Sequence, residues 1–348
     1  MLKAVMEKYE MDALLVSGEA NMRYISGFSG GTGFLLLTED GRYVLTDSRY
    51  TVQAEQEAAG YTVVDAAAGY AAAINACMKK KVKRLGFEGQ RVLFSSYSML
   101  KEKLDAEELV PIGSELDELR MVKTEEELEC IRRAEAIGDM AFEQIVSYIK
   151  PGMTELEVAA RLEYIMKTEG AEALSFDSIV ASGLNSAMPH AKPGRKKIEK
   201  GDFVTMDFGC KYRGYCSDMT RTIVVGKASE RQKEIYELVL KAQEEALAFI
   251  HAGVTGKEVD DVARKVITEA GYGDCFGHGL GHGVGLEIHE LPNLSKSGLT
   301  VLKPGMIETV EPGIYIKGFG GVRIEDLVAV MENGCINFTN SPKYLIEL

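Results

Sequence analysis

Ile149-Lys-Pro-Gly-Met-Thr-Glu-Leu-Glu-Val158 returns as Ile250-His-Ala-Gly-Val-Thr-Gly-Lys-Glu-Val259, shifted by 101 residues. Ile, Gly, Thr, Glu and Val coincide in the two copies, and Gly170 matches Gly271 further on. Each copy joins a Gly turn to Thr-x-x-Glu, Thr154/Glu157 in the first and Thr255/Glu258 in the second. That spacing is a capping box: the hydroxyl and the carboxylate each satisfy a backbone N–H left without a partner at a helix start. The segment therefore reads as a long helix, a turn and a second helix, used twice, with strands after each pair. Any two amphipathic helices share some of this grammar; the matched identities favour a duplicated α+β half-domain, with a site where the halves meet.

Downstream of each copy lies a hairpin with two carboxylates. In Gly201-Asp-Phe-Val-Thr-Met-Asp-Phe-Gly-Cys-Lys-Tyr212, alternation places Val204, Met206 and Phe208 on one face and Thr205, Asp207 and Gly209 on the other. A turn centred between residues 212 and 213 sets Asp207 directly opposite Asp218, with Cβ atoms about 5 Å apart. The second hairpin runs from Thr309-Val-Glu311 through Lys317-Gly-Phe-Gly-Gly to Val322-Arg-Ile-Glu325, and centring it on Gly318 sets Glu311 opposite Glu325. Carboxylates placed face to face either raise their pKa or bind cations. Two divalent ions would balance four such charges.

Of five histidines, three fall in Phe276-Gly-His278-Gly-Leu-Gly-His282-Gly-Val-Gly-Leu-Glu-Ile-His289. Glycines packed around them suit a backbone pressed close to a ligand. Zinc-finger and HExxH spacings are absent. Carboxylates outnumber imidazoles, so the site is hard, closer to Mn²⁺ than to a structural zinc.

Working outward, the first third alternates strand and helix. Ala13-Leu-Leu-Val-Ser17, Gly33–Thr38 and Val82–Phe87 read as strands, and residues 48–59 and 94–104 as helices. This α/β domain is expected to span residues 1–118 and the catalytic domain 119–348, with a capping box at Thr124/Glu127 opening the latter. A net charge of −13 argues against nucleic acid, which needs clustered Lys and Arg, and against an anionic membrane. With acidic residues near the start and no apolar run of about 18 residues, neither a signal peptide nor a membrane span is expected. Six cysteines without a CxxC pair or a disulfide-framework spacing suit a reducing compartment, so the cytoplasm is expected.

Met206-Asp-Phe-Gly, Ser217-Asp-Met-Thr-Arg-Thr, the His282–His289 segment, Val310-Glu-Pro-Gly-Ile-Tyr and Val322-Arg-Ile-Glu-Asp together resemble the creatinase/aminopeptidase P/prolidase family. Asn21-Met-Arg-Tyr-Ile-Ser-Gly-Phe and Asp47-Ser-Arg-Tyr resemble the same family's smaller N-terminal α/β domain, so the likeness covers nearly the whole chain. The resemblance implies a duplicated pita-bread catalytic domain holding two divalent metals, with manganese favoured over cobalt or zinc. It implies Asp207 on one metal, His282 and Glu311 on the other, and Asp218 and Glu325 bridging them. A hydroxide between the metals would attack the scissile carbonyl. His190 matches the family's substrate-side histidine, His289 the one that stabilises the developing oxyanion, and Glu311 the proton shuttle. Arg323 and Tyr315 read as residues that orient the ligands, and His278 as either that or structural.

The implied reaction is hydrolysis of Xaa-Pro bonds in proline-containing peptides, by a homodimer. Prolidases carry an Arg after His-Glu-x-Pro that resembles a clamp for the dipeptide carboxylate; here Asn293 stands there. A neutral amide holds a carboxylate less well than a guanidinium, so longer peptides are expected as substrates, with strict Xaa-Pro dipeptide cleavage as the alternative. Glu308 replaces a residue more often apolar in the family and reads as solvated or facing a partner. A methionine aminopeptidase would lack the N-terminal third, creatinase works without metals, and scaffold relatives have lost ligands that this chain keeps.

Overall fold

Ala13–Val16 is buried throughout, and its alternating side chains set the first sheet between two cores. Ala13 and Leu15 face Ile74 and Leu100, while Leu14 and Val16 face Met22 and Ala54. The computed structural model describes residues 2–348, in one unit that ends at Arg120 and a second that begins at Met121. The first unit holds strands β1 (Ala13–Val16), β2 (Phe34–Thr38), β3 (Gly41–Thr46), β4 (Thr62–Asp65), β5 (Val82–Glu88) and β6 (Ala106–Ile112) in the order β4-β3-β2-β1-β5-β6. β1, β2 and β3 pair antiparallel, and the other neighbours are parallel. Helices α1 (Leu2–Lys8), α2 (Glu19–Ser26), α3 (Thr51–Glu57), α4 (Tyr70–Cys77), α5 (Phe94–Lys103) and α6 (Glu115–Glu118) complete it. Asn21, part of the family-like string, is buried: its amide donates to Glu88 (2.7 Å) and Asp117 (2.9 Å) and accepts from Arg120 (2.8 Å). Its role within this unit is to tie α2 to β5 and to the chain's exit.

The second unit repeats one pattern. Helices α7 (Glu125–Tyr148) and α8 (Glu155–Thr168) lead to β7 (Ala173–Leu174), β8 (Ile179–Ser182), β9 (Phe203–Phe208), β10 (Cys210–Tyr212), β11 (Tyr215–Cys216) and β12 (Met219–Val224). Helices α9 (Glu230–Phe249) and α10 (Gly256–Glu269) lead to β13 (Gly281–Gly283), β14 (Glu290–Leu294), β15 (Ile307–Val310), β16 (Gly313–Ile316), β17 (Gly320–Arg323), β18 (Asp326–Met331) and β19 (Gly334–Asn337). α10 starts and ends 101 residues after α8, and both carry the capping boxes expected of them. This is the pita-bread duplication. On β9, Val204, Met206 and Phe208 pack against α7 and α8; Met306, just before β15, and Val310 on it pack against α9 and α10. The opposite strand faces turn toward each other. There Thr222 donates to the Arg323 carbonyl (3.0 Å) and Glu325 N–H to the Thr220 carbonyl (3.1 Å).

Two expectations are corrected here. Asp207 lies opposite Thr220, not Asp218, because the hairpin turns on Arg213-Gly214, one residue later than the centre assumed. Asp218 is therefore a diagonal neighbour, still within reach. Glu308 is neither solvated nor facing a partner: it is fully buried on β15 beside Gly283 of β13, and neither carboxyl oxygen has a hydrogen bond among the described residues.

Burial pushes the Glu308 pKa well above its ordinary value, and Lys123, whose ammonium is paired to Glu290 at 3.2 Å, offsets only part of that. With the folded pKa above the unfolded one, stability is fully present below the unfolded value and is lost as pH rises toward the folded value. Glu308→Met keeps the volume and removes both unpaired oxygens. It is expected to raise stability by about 1–3 kcal/mol, with a gain in melting temperature larger at pH 8 than at pH 5. A melting temperature lowered at pH 8 would show that the carboxyl has a partner it needs.

Candidate metal centre

Every ligand named by the sequence reading lies on an inward-facing strand or its end. Asp207 is the last residue but one of β9, Asp218 precedes β12, His282 sits in β13, Glu311 follows β15, and Glu325 stands between β17 and β18. The pairs Gly313–Arg323 and Val310–Asp326 flank Glu311 and Glu325 in one register, so these two carboxylates lie across from each other. Oxygens of Asp207, Asp218 and Glu325 come within 4.8 Å of one another. His282 Nε2 stands 3.6 Å from Asp218 Oδ2 and 3.5 Å from Glu311 Oε1.

The electrostatics of this cluster are one-sided. Burial, then the other carboxylates, drive Asp218 and Glu325 well above their usual pKa; burial raises Asp207, and raises Glu311 to about 8. His282 is pushed down to about 4 by burial and the nearby His289, so its ring is neutral near pH 7. Its Nδ1–H donates to the Gly283 carbonyl at 3.0 Å, which leaves the Nε2 lone pair aimed at Asp218 and Glu311. A lone pair facing two carboxylates is repulsive unless a cation stands between them. Donors about 2.1 Å from one ion sit roughly 3–3.5 Å apart at tetrahedral to octahedral angles, close to the spacing seen here. Asp207 Oδ1 is buried with no hydrogen-bond partner among the described residues. The residues fit a pair of divalent ions.

The surrounding side chains fix the donors. Arg323 donates to Asp207, to Tyr315 Oη (2.8 Å) and to Thr220 Oγ1 (3.0 Å). Tyr315 Oη in turn meets His278 Nε2 at 3.0 Å, and His278 Nδ1–H donates to Gly279 O at 2.7 Å. Burial holds His278 down to about 4, so Nε2 accepts from the phenol, whose own pKa burial lifts to about 12. His278 therefore ends a directed chain from Arg323. Thr220 donates to Glu325 Oε2 (2.6 Å); Thr309 accepts from His282 N–H (3.0 Å) and donates to Glu311 Oε1 (3.3 Å). Glu135 of α7 accepts from Asp218 N–H at 3.3 Å and from Thr339 Oγ1 at 2.6 Å. These two threonines and Glu135 were not singled out in the sequence. Thr309 shares a strand face with Glu311, a signal that was there to read; the inward turn of Glu135 shows only in the folded chain.

His190, His289 and Asn293 border a cavity of about 890 Å³ that opens over the cluster. The His289 and His282 rings stand 4.3 Å apart at 64°, and His289 is exposed to the cavity. Asn293 pairs with His282 across β13 and β14.

A buried nest of four carboxylates and one imidazole, set under an open cavity in a duplicated domain, defines a two-metal hydrolase. Residues 129–332 match metallopeptidase family M24, and residues 1–122 match the creatinase/prolidase N-terminal domain. The chain belongs to family M24 and is a metal-dependent peptidase. It is 43% identical to the Xaa-Pro dipeptidase of Pyrococcus furiosus, over 98% of this chain and 97% of that one. Among solved structures, the Xaa-Pro dipeptidase from Bacillus anthracis superposes with a TM-score of 0.97 at 47% identity, covering 100% of this chain and 98% of that one. The X-Pro aminopeptidase from Thermotoga maritima superposes at 0.91 with 42% identity, covering 99% and 100%. Among the described residues, no helix is long and apolar enough to cross a membrane.

Proposed function

We propose that the chain is a dinuclear-metal exopeptidase that cleaves Xaa-Pro peptide bonds, with manganese as its metal and the cytoplasm as its compartment. The convergence of His282 Nε2 on Asp218 and Glu311 carries the metal part of this reading. The names of the three relatives support the Xaa-Pro part. Four carboxylates to one imidazole favour a hard ion, and all six cysteines are free, as in a reducing compartment.

In this reading Asp207, Asp218, His282, Glu311 and Glu325 would hold two divalent ions. The bound ions would polarise the scissile carbonyl and lower the pKa of water. Thr309 donates to Glu311 and orients it, and Glu311 is the group placed to take up and pass on a proton. His289 faces the substrate carbonyl and donates to its oxygen as charge develops. His190 borders the substrate side of the cavity, where Phe176, Ile179 and Ile288 offer apolar wall for a pyrrolidine ring. An Xaa-Pro bond has no N–H, so such a wall leaves no donor unsatisfied.

Hydrolysis of Ala-Pro, Ala-Pro-Ala and Ala-Ala by the Mn²⁺-loaded protein tests this. Cleavage of the proline-containing peptides should exceed that of Ala-Ala by at least about tenfold, the low end of what a well-matched pocket discriminates. Equal rates on all three would remove the proline specificity while leaving a metallopeptidase. Asn293 presents only a neutral amide, which favours Xaa-Pro-Yaa over the dipeptide unless another residue supplies a charge.

A further inference from the structure

The wall of the cavity over the metal centre is lopsided in charge. Besides the metal-facing carboxylates it carries Glu163 and Asp177, and it has two basic side chains, Lys192 and Arg323. Arg323 is almost fully buried and commits its donors to Asp207, Tyr315, Thr220 and the Pro189 carbonyl. Lys192 is exposed, and no acceptor among the described residues is paired with it. Other cations close in sequence are spent or elsewhere: Lys196 is bonded to Asp202 at 2.7 Å, and neither Arg195 nor Lys296 borders the cavity.

The segment that bears Lys192 is held at both ends. Pro189 O accepts from Arg323 at 3.3 Å, and Ala191 N–H closes a turn onto Met188 O at 3.1 Å. Beyond Lys192, Gly194 N–H donates to Glu155 at 3.2 Å and Gly194 O accepts from Leu156 N–H at 3.0 Å. The backbone is thus anchored on one side to the residue that orients Asp207 and on the other to the start of α8. The lysine's four-carbon stem stays free to reach over the wall.

A dipeptide brings a carboxylate within one residue of the scissile bond, into a cavity whose floor is acidic. A carboxylate leaving water without a cationic or hydrogen-bonding partner is heavily penalised. A longer peptide places a neutral amide there instead and asks for no charge. We propose that Lys192 captures the C-terminal carboxylate of an Xaa-Pro dipeptide and thereby supplies the dipeptide selectivity that Asn293 cannot. This rests on the Xaa-Pro reading above. A flexible, partly solvated ammonium holds a carboxylate less tightly than a bidentate guanidinium, so the selectivity is moderate and screened by salt.

The test is the ratio of kcat/KM for Ala-Pro to that for Ala-Pro amide, which differs only in lacking the charge, measured on the Mn²⁺-loaded protein. In Lys192→Met the ratio should fall about tenfold, the low end for losing a hydrogen bond to a charged group, with the change carried in KM. Lys192→Arg should keep the ratio, Asn293→Arg placed on Lys192→Met should restore part of it, and rising ionic strength should lower it in the natural protein but not in Lys192→Met. A ratio unaltered in Lys192→Met, with melting temperature and metal content retained, overturns the inference and leaves the Xaa-Pro reading standing. Failure of the natural protein to cleave either substrate overturns both.

Discussion

Dialysis against a chelator is expected to abolish peptide hydrolysis and to lower thermal stability at neutral pH, and Mn²⁺ should restore both. Asp218 and Glu325 are buried and Asp207 and Glu311 mostly enclosed in one cluster, with Arg323 the guanidinium among them. Without cations their pKa values are all raised, Glu311 to about 8. Groups raised in the folded state contribute stability that is complete below their unfolded pKa, near 4, and is lost as pH climbs toward the folded value. The metal-free protein should therefore weaken between about pH 4 and pH 8. The loaded protein moves the other way, because its ligands bind as carboxylates and binding releases their protons. An ion present at about 1,000 times its dissociation constant stabilises the fold by about 4 kcal/mol per site. The gap in melting temperature between loaded and metal-free protein should thus widen from pH 5 to pH 8, with metal content followed by elemental analysis. Full activity in metal-free protein would end the two-metal reading, and a gap that narrows with rising pH would show that the carboxylates are not the ligands.

What was legible in the sequence was local. Helices α7, α8 and α10 announce themselves through capping boxes at Thr124, Thr154 and Thr255 and through apolar faces, which need no knowledge of the rest of the chain. The Glu311/Glu325 register was readable because Gly318, at φ 80°, marks the centre of its turn. The Asp207 hairpin was read two partners out of place for an equally local reason. Its turn places Arg213 at φ 48° as well as Gly214 at φ 80°, and an arginine in the left-handed region leaves no signature in the sequence. Glu308 and Glu135 were out of reach for a different reason. A charged residue defaults to solvent, and only the stacking of strands and helices around these two shows that one is enclosed without a partner and the other is turned onto the Asp218 backbone. The ligands themselves could be named because a shared string carries them, yet the hydrogen bonds that aim them, through Thr220, Thr309 and Tyr315, belong to the folded chain.

Replacing His289 with alanine is expected to lower kcat by on the order of 10²–10³, the usual cost of one donor to a developing oxyanion, while both metals stay bound. His282 and His289 lie seven residues apart with their rings 4.3 Å from each other, yet they face different things. His282 is tied by Nδ1 to the Gly283 carbonyl and turns Nε2 to Asp218 and Glu311. His289 is exposed on the cavity wall, and no hydrogen bond among the described residues occupies its nitrogens. Burial lowers its pKa, so near pH 7 it is a neutral imidazole with one N–H to give. A donor that meets the carbonyl oxygen as it becomes charged acts more strongly on the transition state than on the bound peptide, so the loss should fall on kcat and leave KM nearly as it was. His282→Ala removes a donor atom from the cluster itself and should lose metal before it loses anything else. Elemental analysis of the two variants separates the roles. Metal missing from His289→Ala would move that ring into the ligand set, and kcat preserved with metal in place would assign the oxyanion contact to another group on the wall, with His190 next in line.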